Sequence, residues 1–330
     1  MFVQIKLIHE ERPGKKWQHF FELVWPFYKK WFTSEGYLSR PGYMTCMDAL
    51  ETHMPEIIPF YEALTEQAGG GDLEARFLSM YCPPPYMSGC SQMAITGEEN
   101  ALIRNYDYHP RLFDGKVLNT NWLQPVIGMT DCTWGLLDGM NGSGLVASLT
   151  FGGRKVTGVG FGIPIIMRYV LETCTNIHEA IQAFARIPIH MSYNVTVLDK
   201  SGHVATIYLS PDRAASVNFQ PVCTNHQDVI EWYDYATMTN TLERKEFMQH
   251  YLLNKGLTLQ QQVDSFLAPP LYHRNYEKYF GTLYTAVYNL KKNSLTLVWP
   301  NKTEEISFDN FKEKKIQVKL DKNVSNHLLK

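Results

Sequence analysis

Cysteine 90, in Gly89-Cys90-Ser91, stands at the junction between a helical-looking N-terminal block and the first strand pattern, and Arg104-Asn105-Tyr106-Asp107 follows it on the next strand. A thiolate is a strong nucleophile, but a free cysteine titrates near about 8.5 and needs a neighbouring base or positive charge to act at neutral pH. By itself the second segment is an ordinary Arg–Asp pair in a sheet; a cysteine just upstream tips it toward chemistry. Other familiar signals are missing. There is no Gly-x-x-x-x-Gly-Lys-[Ser/Thr], no His-Glu-x-x-His and no Gly-x-Ser-x-Gly, and Gly158, Gly160 and Gly162 lack the last spacing of a dinucleotide loop. The six cysteines contain no Cys-x-x-Cys pair, which disfavours a metal knuckle and a disulfide scaffold and predicts mostly buried thiols.

The elements that must position these residues fall into blocks. Residues 15–80 read as helical: Trp17, Phe20, Phe21, Val24, Phe27, Tyr28, Trp31 and Phe32 recur at spacings of three and four, with Pro26 expected to kink or split the helix. A second helical stretch covers 44–67 with restarts at Pro55 and Pro59, and a short helix starts at Asp72 after Gly69-Gly70-Gly71. No strand pattern is read before residue 85. Hairpins are then expected at 92–96 with 101–108, at 193–198 with 204–209 and, last, at 283–290 with 294–298; further strands are expected at 144–151 and within 215–223. Helices are expected at 164–173, 176–186 and 241–266, and the polar end from Asp321 reads as frayed. Antiparallel hairpins alternating with helical blocks predict stacked sheets covered by helices, not a doubly wound parallel sheet.

Composition limits the partners. The 330 residues are 45% hydrophobic and 19% charged, enough for a sizeable core and against a disordered chain. The formal net charge of −2 offers no basic face for nucleic acid. No stretch of about 18 apolar residues and no leader-like N-terminus appear, which reads as a cytoplasmic protein without a membrane partner. The oligomeric state is not legible.

The Gly89-Cys90-Ser91 and Arg104-Asn105-Tyr106-Asp107 segments resemble those of the N-terminal-nucleophile hydrolases, in particular the peptidase C45 family of acyl-coenzyme A:6-aminopenicillanic acid acyltransferase, with choloylglycine hydrolases as more distant relatives. The likeness runs from about Cys90 to the last expected hairpin. It implies an α+β fold, a four-layer αββα sandwich of two antiparallel sheets flanked by helices. Residues 1–89 would be a helical N-terminal segment and 90–330 the catalytic domain, the two forming one structural unit. Cutting the Gly89–Cys90 bond would give Cys90 a free α-amine of pKa about 7.7, within reach of its own thiol and able to act as general base. Glycine suits the position before the cut because, without a Cβ, it lets the thiol approach its carbonyl and tolerates strain.

The resemblance also implies the partners of Cys90. Asp107 would accept a hydrogen bond from the Cys90 amine and point, with alternate strand residues, to the same region as Arg104. Arg104 would lower the thiol pKa. Asn194, in a segment similar to the family's Asn-x-x-x-x-Asp-x-x-Gly, would donate to the oxyanion, and Arg244, in Thr241-Leu242-Glu243-Arg244, would support the charge network. Thr150 falls where relatives place a polar residue facing the nucleophile. In Thr224-Asn225-His226, a segment that also resembles the family, His226 would either position substrate or cap a turn. Trp122, Trp134, Phe151 and Phe161 are candidates for an apolar acyl pocket or for core.

The implied activity is that of an autoproteolytically activated amide hydrolase or acyltransferase. It would act on a small-molecule amide or acyl-thioester through an acyl-Cys90 intermediate, without metal or organic cofactor, coenzyme A entering only as a substrate. An intact thiol hydrolase pairing Cys90 with His109 or His226, and a binding protein that retains the fold with an inert Cys90, are the alternatives.

Overall fold

The computed structural model describes residues 1–254, 256–276 and 280–320, so the expected frayed end from Asp321 lies outside the described residues. The chain opens with strand β1 (Phe2–His9), followed by helices α1 (Lys15–Phe32), α2 (Tyr43–His53), α3 (Ile58–Gln67) and α4 (Asp72–Ser79). Strands β2 (Gly89–Ile95), β3 (Ala101–Tyr108), β4 (Lys116–Asn121), β5 (Pro125–Asp131), β6 (Gly135–Asn141) and β7 (Leu145–Phe151) come next. Helices α5 (Ile163–Thr173) and α6 (Ile177–Arg186) precede β8 (Tyr193–Asp199), β9 (Val204–Ser210), β10 (Arg213–Asn218) and β11 (Val222–Cys223). Helices α7 (Tyr233–Met238), α8 (Thr241–Leu253) and α9 (Leu259–Ser265) lead to β12 (Arg274–Asn275), β13 (Phe280–Asn289), β14 (Ser294–Trp299), β15 (Lys302–Ser307) and β16 (Lys314–Lys319).

These strands build two sheets, one of nine strands in the order β10-β9-β8-β7-β6-β5-β4-β1-β16 and one of seven with β11-β2-β3-β13-β14-β15 as its path and β12 beside β13. Helices α5 and α6 cover the nine-stranded sheet, and α8 and α9 cover the other, where Met248, Val263 and Phe266 close a separate apolar cluster over Met93, Ile103 and Val287. The expected αββα order is therefore present. The space between the sheets carries polar links: Gln92 of β2 donates to Thr196 (2.7 Å) and accepts from Ser148 (2.7 Å) on the facing sheet. Buried polar groups that satisfy one another in this way fix the register of one layer on the other.

Several sequence expectations are corrected. Residues 1–89 are not all helical, because β1 pairs antiparallel with β16 and parallel with β4. Its signal is the two-residue alternation of buried Val3, Ile5 and Leu7. The nine-stranded sheet thus contains one parallel pair. Strands β4, β5 and β6 escaped notice since they are buried on both faces and show almost no alternation. The hairpin at 283–298 is not the end of the sheets, because β15 and β16 continue them. Helix α1 runs through Pro26 without a break, held by tertiary packing of Phe21 and Trp25 against Phe77.

The N-terminal helices are fixed to the sheets by specific polar contacts. Trp17 donates to the Thr133 carbonyl (3.3 Å), and Trp134 donates to that of Leu78 (3.0 Å). Tyr28 of α1 donates to Asp114 (2.7 Å) beside Asp131, whose carboxylate accepts from the Cys132 N–H (3.0 Å). Burial, then the neighbouring Asp114 charge, pushes the Asp131 carboxyl up to about 8, and burial raises Asp114 as well. Such a carboxyl binds its proton more tightly in the folded chain than in the unfolded one, where aspartate titrates near about 3.9. Its contribution is full below that value and is lost as pH rises toward about 8. Asp131→Asn should therefore raise the melting temperature at about pH 8.5 and change it little at about pH 4, a comparison for scanning calorimetry.

Candidate active site

Strand β2 is flanked by β3 on one side and by the two residues of β11 on the other. Because β11 pairs only with Gln92 and Met93, the ladder stops short of Cys90. Where it stops, the chain runs on into Thr224-Asn225-His226, and the Asn225 side chain replaces a strand carbonyl: its Oδ1 accepts the Cys90 N–H at 2.9 Å. The Cys90 carbonyl is also held by a side chain, accepting from Arg244 Nη1 at 2.6 Å. Arg244 further donates to Ser91 Oγ and Asn225 Oδ1, both at 2.8 Å. The backbone of Cys90 is thus gripped by groups that do not depend on a continuous strand.

Two buried guanidiniums bracket this residue from opposite faces of the sheet. Arg104, on the face between the sheets, donates to Cys90 Sγ (3.2 Å) and to the Leu149 carbonyl (3.0 Å). Its charge is balanced by Asp138 of β6, which also accepts from Tyr284 (2.6 Å) and from Tyr288. On the helix-covered face Asp107 accepts from Thr282 Oγ1 (2.7 Å) and lies 3.6 Å from Arg244 and 3.9 Å from His273. The expectation that Arg104 and Asp107 point the same way is corrected here: three residues apart on one strand, they occupy opposite faces, as the two-residue period requires. They flank the Gly89–Cys90 bond instead of sharing one side of it.

The sulfur itself is fully buried. Burial pushes the Cys90 thiol up; Arg104 acts to lower it, in the expected direction, but only partly opposes the burial. A thiol in this state needs a base. Beside Gly89, a cleft of about 280 Å³ is lined by Asp107, Met238, Arg244, His273, Asn275 and Phe280.

Asn194 and Thr150 do not reach the sulfur. Asn194 Nδ2 donates to the carbonyls of Thr224 and His226 (3.1 Å each), and Thr150 Oγ1 donates to that of Thr224 (2.8 Å). Both brace the segment that carries Asn225, and the amide expected to face an oxyanion is already engaged. The His226 ring turns to another partner, its Nδ1 lying 2.9 Å from Thr241 Oγ1, which accepts the Asn225 N–H (2.8 Å). Burial, with Lys245 and Arg244 nearby, lowers His226 to about 4, so its ring is neutral at physiological pH. Of the four aromatic candidates only Phe151 lies by the site, its carbonyl accepting from Asn225. Trp122 stacks on Phe60 and Phe161 packs on Tyr81, both within the core.

Residues 95–304 match the family model of acyl-coenzyme A:6-aminopenicillanic acid acyl-transferase. The chain belongs to that family. The match spans Arg104, Asp107, Thr150, Asn194, His226 and Arg244 and begins just beyond Cys90. Among solved structures, a conjugated bile acid hydrolase from Clostridium perfringens is 14% identical over 73% of this chain and 100% of its own, with a TM-score of 0.48. An N-acylethanolamine-hydrolyzing acid amidase ortholog from Caenorhabditis elegans is 17% identical, covering 61% and 91%, with a TM-score of 0.40. Penicillin V acylase from Agrobacterium tumefaciens is 13% identical, covering 69% and 82%, with a TM-score of 0.37. No curated protein matches the chain.

Sequence reasoning missed Asn225 as a contact of Cys90, and missed Asp138, Tyr284 and Tyr288 entirely. The usable signal was Asp138 inside the apolar run Leu136-Leu137-Asp138-Gly139-Met140, since a carboxylate there must find a buried cation. Asp138→Ala would leave the Arg104 guanidinium buried without its counter-charge. Urea unfolding should show a loss of about 3–5 kcal/mol, with Asp138→Glu losing less.

Proposed function

We propose that this protein is a cysteine amide hydrolase or acyltransferase whose nucleophile, Cys90, is activated by cleavage of the Gly89–Cys90 bond, leaving chains of 89 and 241 residues that stay together as one unit. The observation that carries this reading is the side-chain grip on both the N–H and the carbonyl of Cys90, with Arg104 on its sulfur. A buried cysteine in an ordinary strand would leave those backbone groups to its neighbours; a residue that must hold its place as a chain terminus needs them held otherwise.

Maturation would proceed by attack of Cys90 Sγ on the Gly89 carbonyl carbon. A C–S bond forms, the C–N bond breaks, and the thiol proton goes to the departing nitrogen, which becomes the α-amine; water then hydrolyses the thioester and frees the Gly89 carboxylate and the thiol. In turnover the α-amine, held by Asn225 Oδ1, takes the thiol proton and gives it to the leaving amine of the substrate, and the acyl group passes to water or an acceptor amine. Arg104 stabilises the thiolate, Asp107 offsets the positive charge of the amine and of Arg244, Arg244 holds the Cys90 carbonyl and Asn225, and Asn194 and Thr150 position Asn225. A pairing of Cys90 with His226 has no geometric support, since that ring faces Thr241. The small-molecule substrate is an amide or acyl-thioester. Among the described residues no helix is long and apolar enough to cross a membrane, and no cluster of metal-binding side chains occurs.

Denaturing mass spectrometry should resolve the two chains, and Cys90→Ala should give one uncut species without amidase activity. An uncut wild-type chain that hydrolyses amides would overturn the proposal. Asn225→Ala should lower kcat by about 10² or more, comparable to loss of a preorganised polar group at a reacting centre, with Asn194→Ala milder; single-turnover acylation rates separate the two.

A further inference from the structure

If Cys90 is acylated first by Gly89 and later by substrate, the residues that precede Gly89 lie where the substrate's acyl group must lie, because both acyl carbons end on the same sulfur. This inference therefore rests on the reading above and deepens it. The chain from Tyr86 to Gly89 is held by specific groups. Tyr235 Oη donates to the Ser88 carbonyl at 2.7 Å, and Asn225 Nδ2 adds a longer contact of 3.4 Å to the same oxygen. The Tyr235 ring is buried, stacked on Trp232 and edge-on to Phe151, so its hydroxyl is fixed in place. With the Gly89 carbonyl carbon counted as the first atom of the acyl group, the Ser88 carbonyl carbon is the fourth. At the second atom, a Cβ built on Gly89 would come within 3.2 Å of Asp107 Cβ and 3.4 Å of Phe280, so the site leaves little room for a branch. Farther out, Tyr86 lies between Trp31 and Tyr193 (ring centroids 5.8 and 6.0 Å), and its carbonyl accepts from the Tyr193 hydroxyl (3.3 Å).

We propose that the acyl side of this site takes N-acylglycyl groups: unbranched at the second atom, with a carbonyl oxygen on the fourth atom received by Tyr235, and ending in an aromatic or bulky apolar group in the place of Tyr86. The segment Tyr86–Gly89 fills this subsite in the continuous chain and must leave it before substrate enters. A site built to hydrogen-bond a buried substrate oxygen rejects the analogue that lacks it, because its own donor is then left unpaired.

The test compares three 4-nitroanilides on the processed enzyme: a phenylalkanoylglycine anilide, its alanine counterpart, and a chain-matched phenylalkanoic anilide in which two methylenes replace the inner amide. The glycine compound should exceed each of the others by about tenfold or more in kcat/KM, and Tyr235→Phe should narrow its lead over the methylene compound to about threefold or less. Tyr235→Phe should also slow release of the 1–89 chain, since the same oxygen is recognised in self-cleavage. Equal kcat/KM for the glycine and methylene compounds, or an equal loss on both in Tyr235→Phe, would overturn the proposal. A binding readout separates this from the reading it rests on: free phenylalkanoylglycine should protect Cys90 of the processed wild type from iodoacetamide better than the chain-matched acid, and not so in Tyr235→Phe. A processed chain that cleaves no anilide but shows this difference would sink the hydrolase reading and leave the subsite standing; equal protection by both acids would sink the subsite.

Discussion

Everything at the site depends on one sulfur-bearing residue being held between two buried guanidinium groups on opposite faces of a single sheet. Arg104 reaches Cys90 through its sulfur and Arg244 through its carbonyl, and neither cation could be buried without a carboxylate of its own. Asp138 serves the first from the facing sheet, and Asp107 serves the second from the next strand. Burial raises the thiol against the opposing charge of Arg104, so a base beside the sulfur would help it ionise at neutral pH. Under the proposed cleavage that base is the residue's own nitrogen.

The two-layer frame explains how residues so far apart in sequence converge. Strand β2 contributes Cys90, β3 supplies Arg104 and Asp107 on alternate faces, and β6 brings Asp138 across from the other sheet. The turn into α8 adds the rest. Thr241, the first residue of that helix, holds the Asn225 N–H, so one hydroxyl sets both Asn225 and, three residues later, Arg244 against Cys90. The N-terminal helices, tied to the strand ends by Trp17, Tyr28 and Trp134, bring the chain to Gly89 along the aromatic groove of Trp31 and Tyr193.

Much of this was legible in the sequence. The hairpin at Gly97-Glu98-Glu99-Asn100 and the amphipathic helices announced themselves by periodicity, and the segments around Cys90, Arg104 and Arg244 pointed to residues that the fold brings into contact. What stayed hidden had physical causes. Strands β4 to β6 are buried on both faces, which removes the alternation that marks a strand, and Asn225 follows a two-residue strand too short to leave a pattern. Asn194 was read as a direct partner because residue type and position alone do not tell an amide that faces the reacting atoms from one that braces the segment behind them. The opposite facing of Arg104 and Asp107 did follow from the strand period and could have been read from their spacing.

The central claim is that Cys90 carries a free amino group next to its thiol, and a reagent selective for 1,2-aminothiols tests it most directly. Treatment of the native protein with 2-cyanobenzothiazole, followed by peptide mapping, should place a single adduct on Cys90 and abolish amide hydrolysis in proportion. A protein that hydrolyses amides fully and acquires no adduct at that residue would contradict the account.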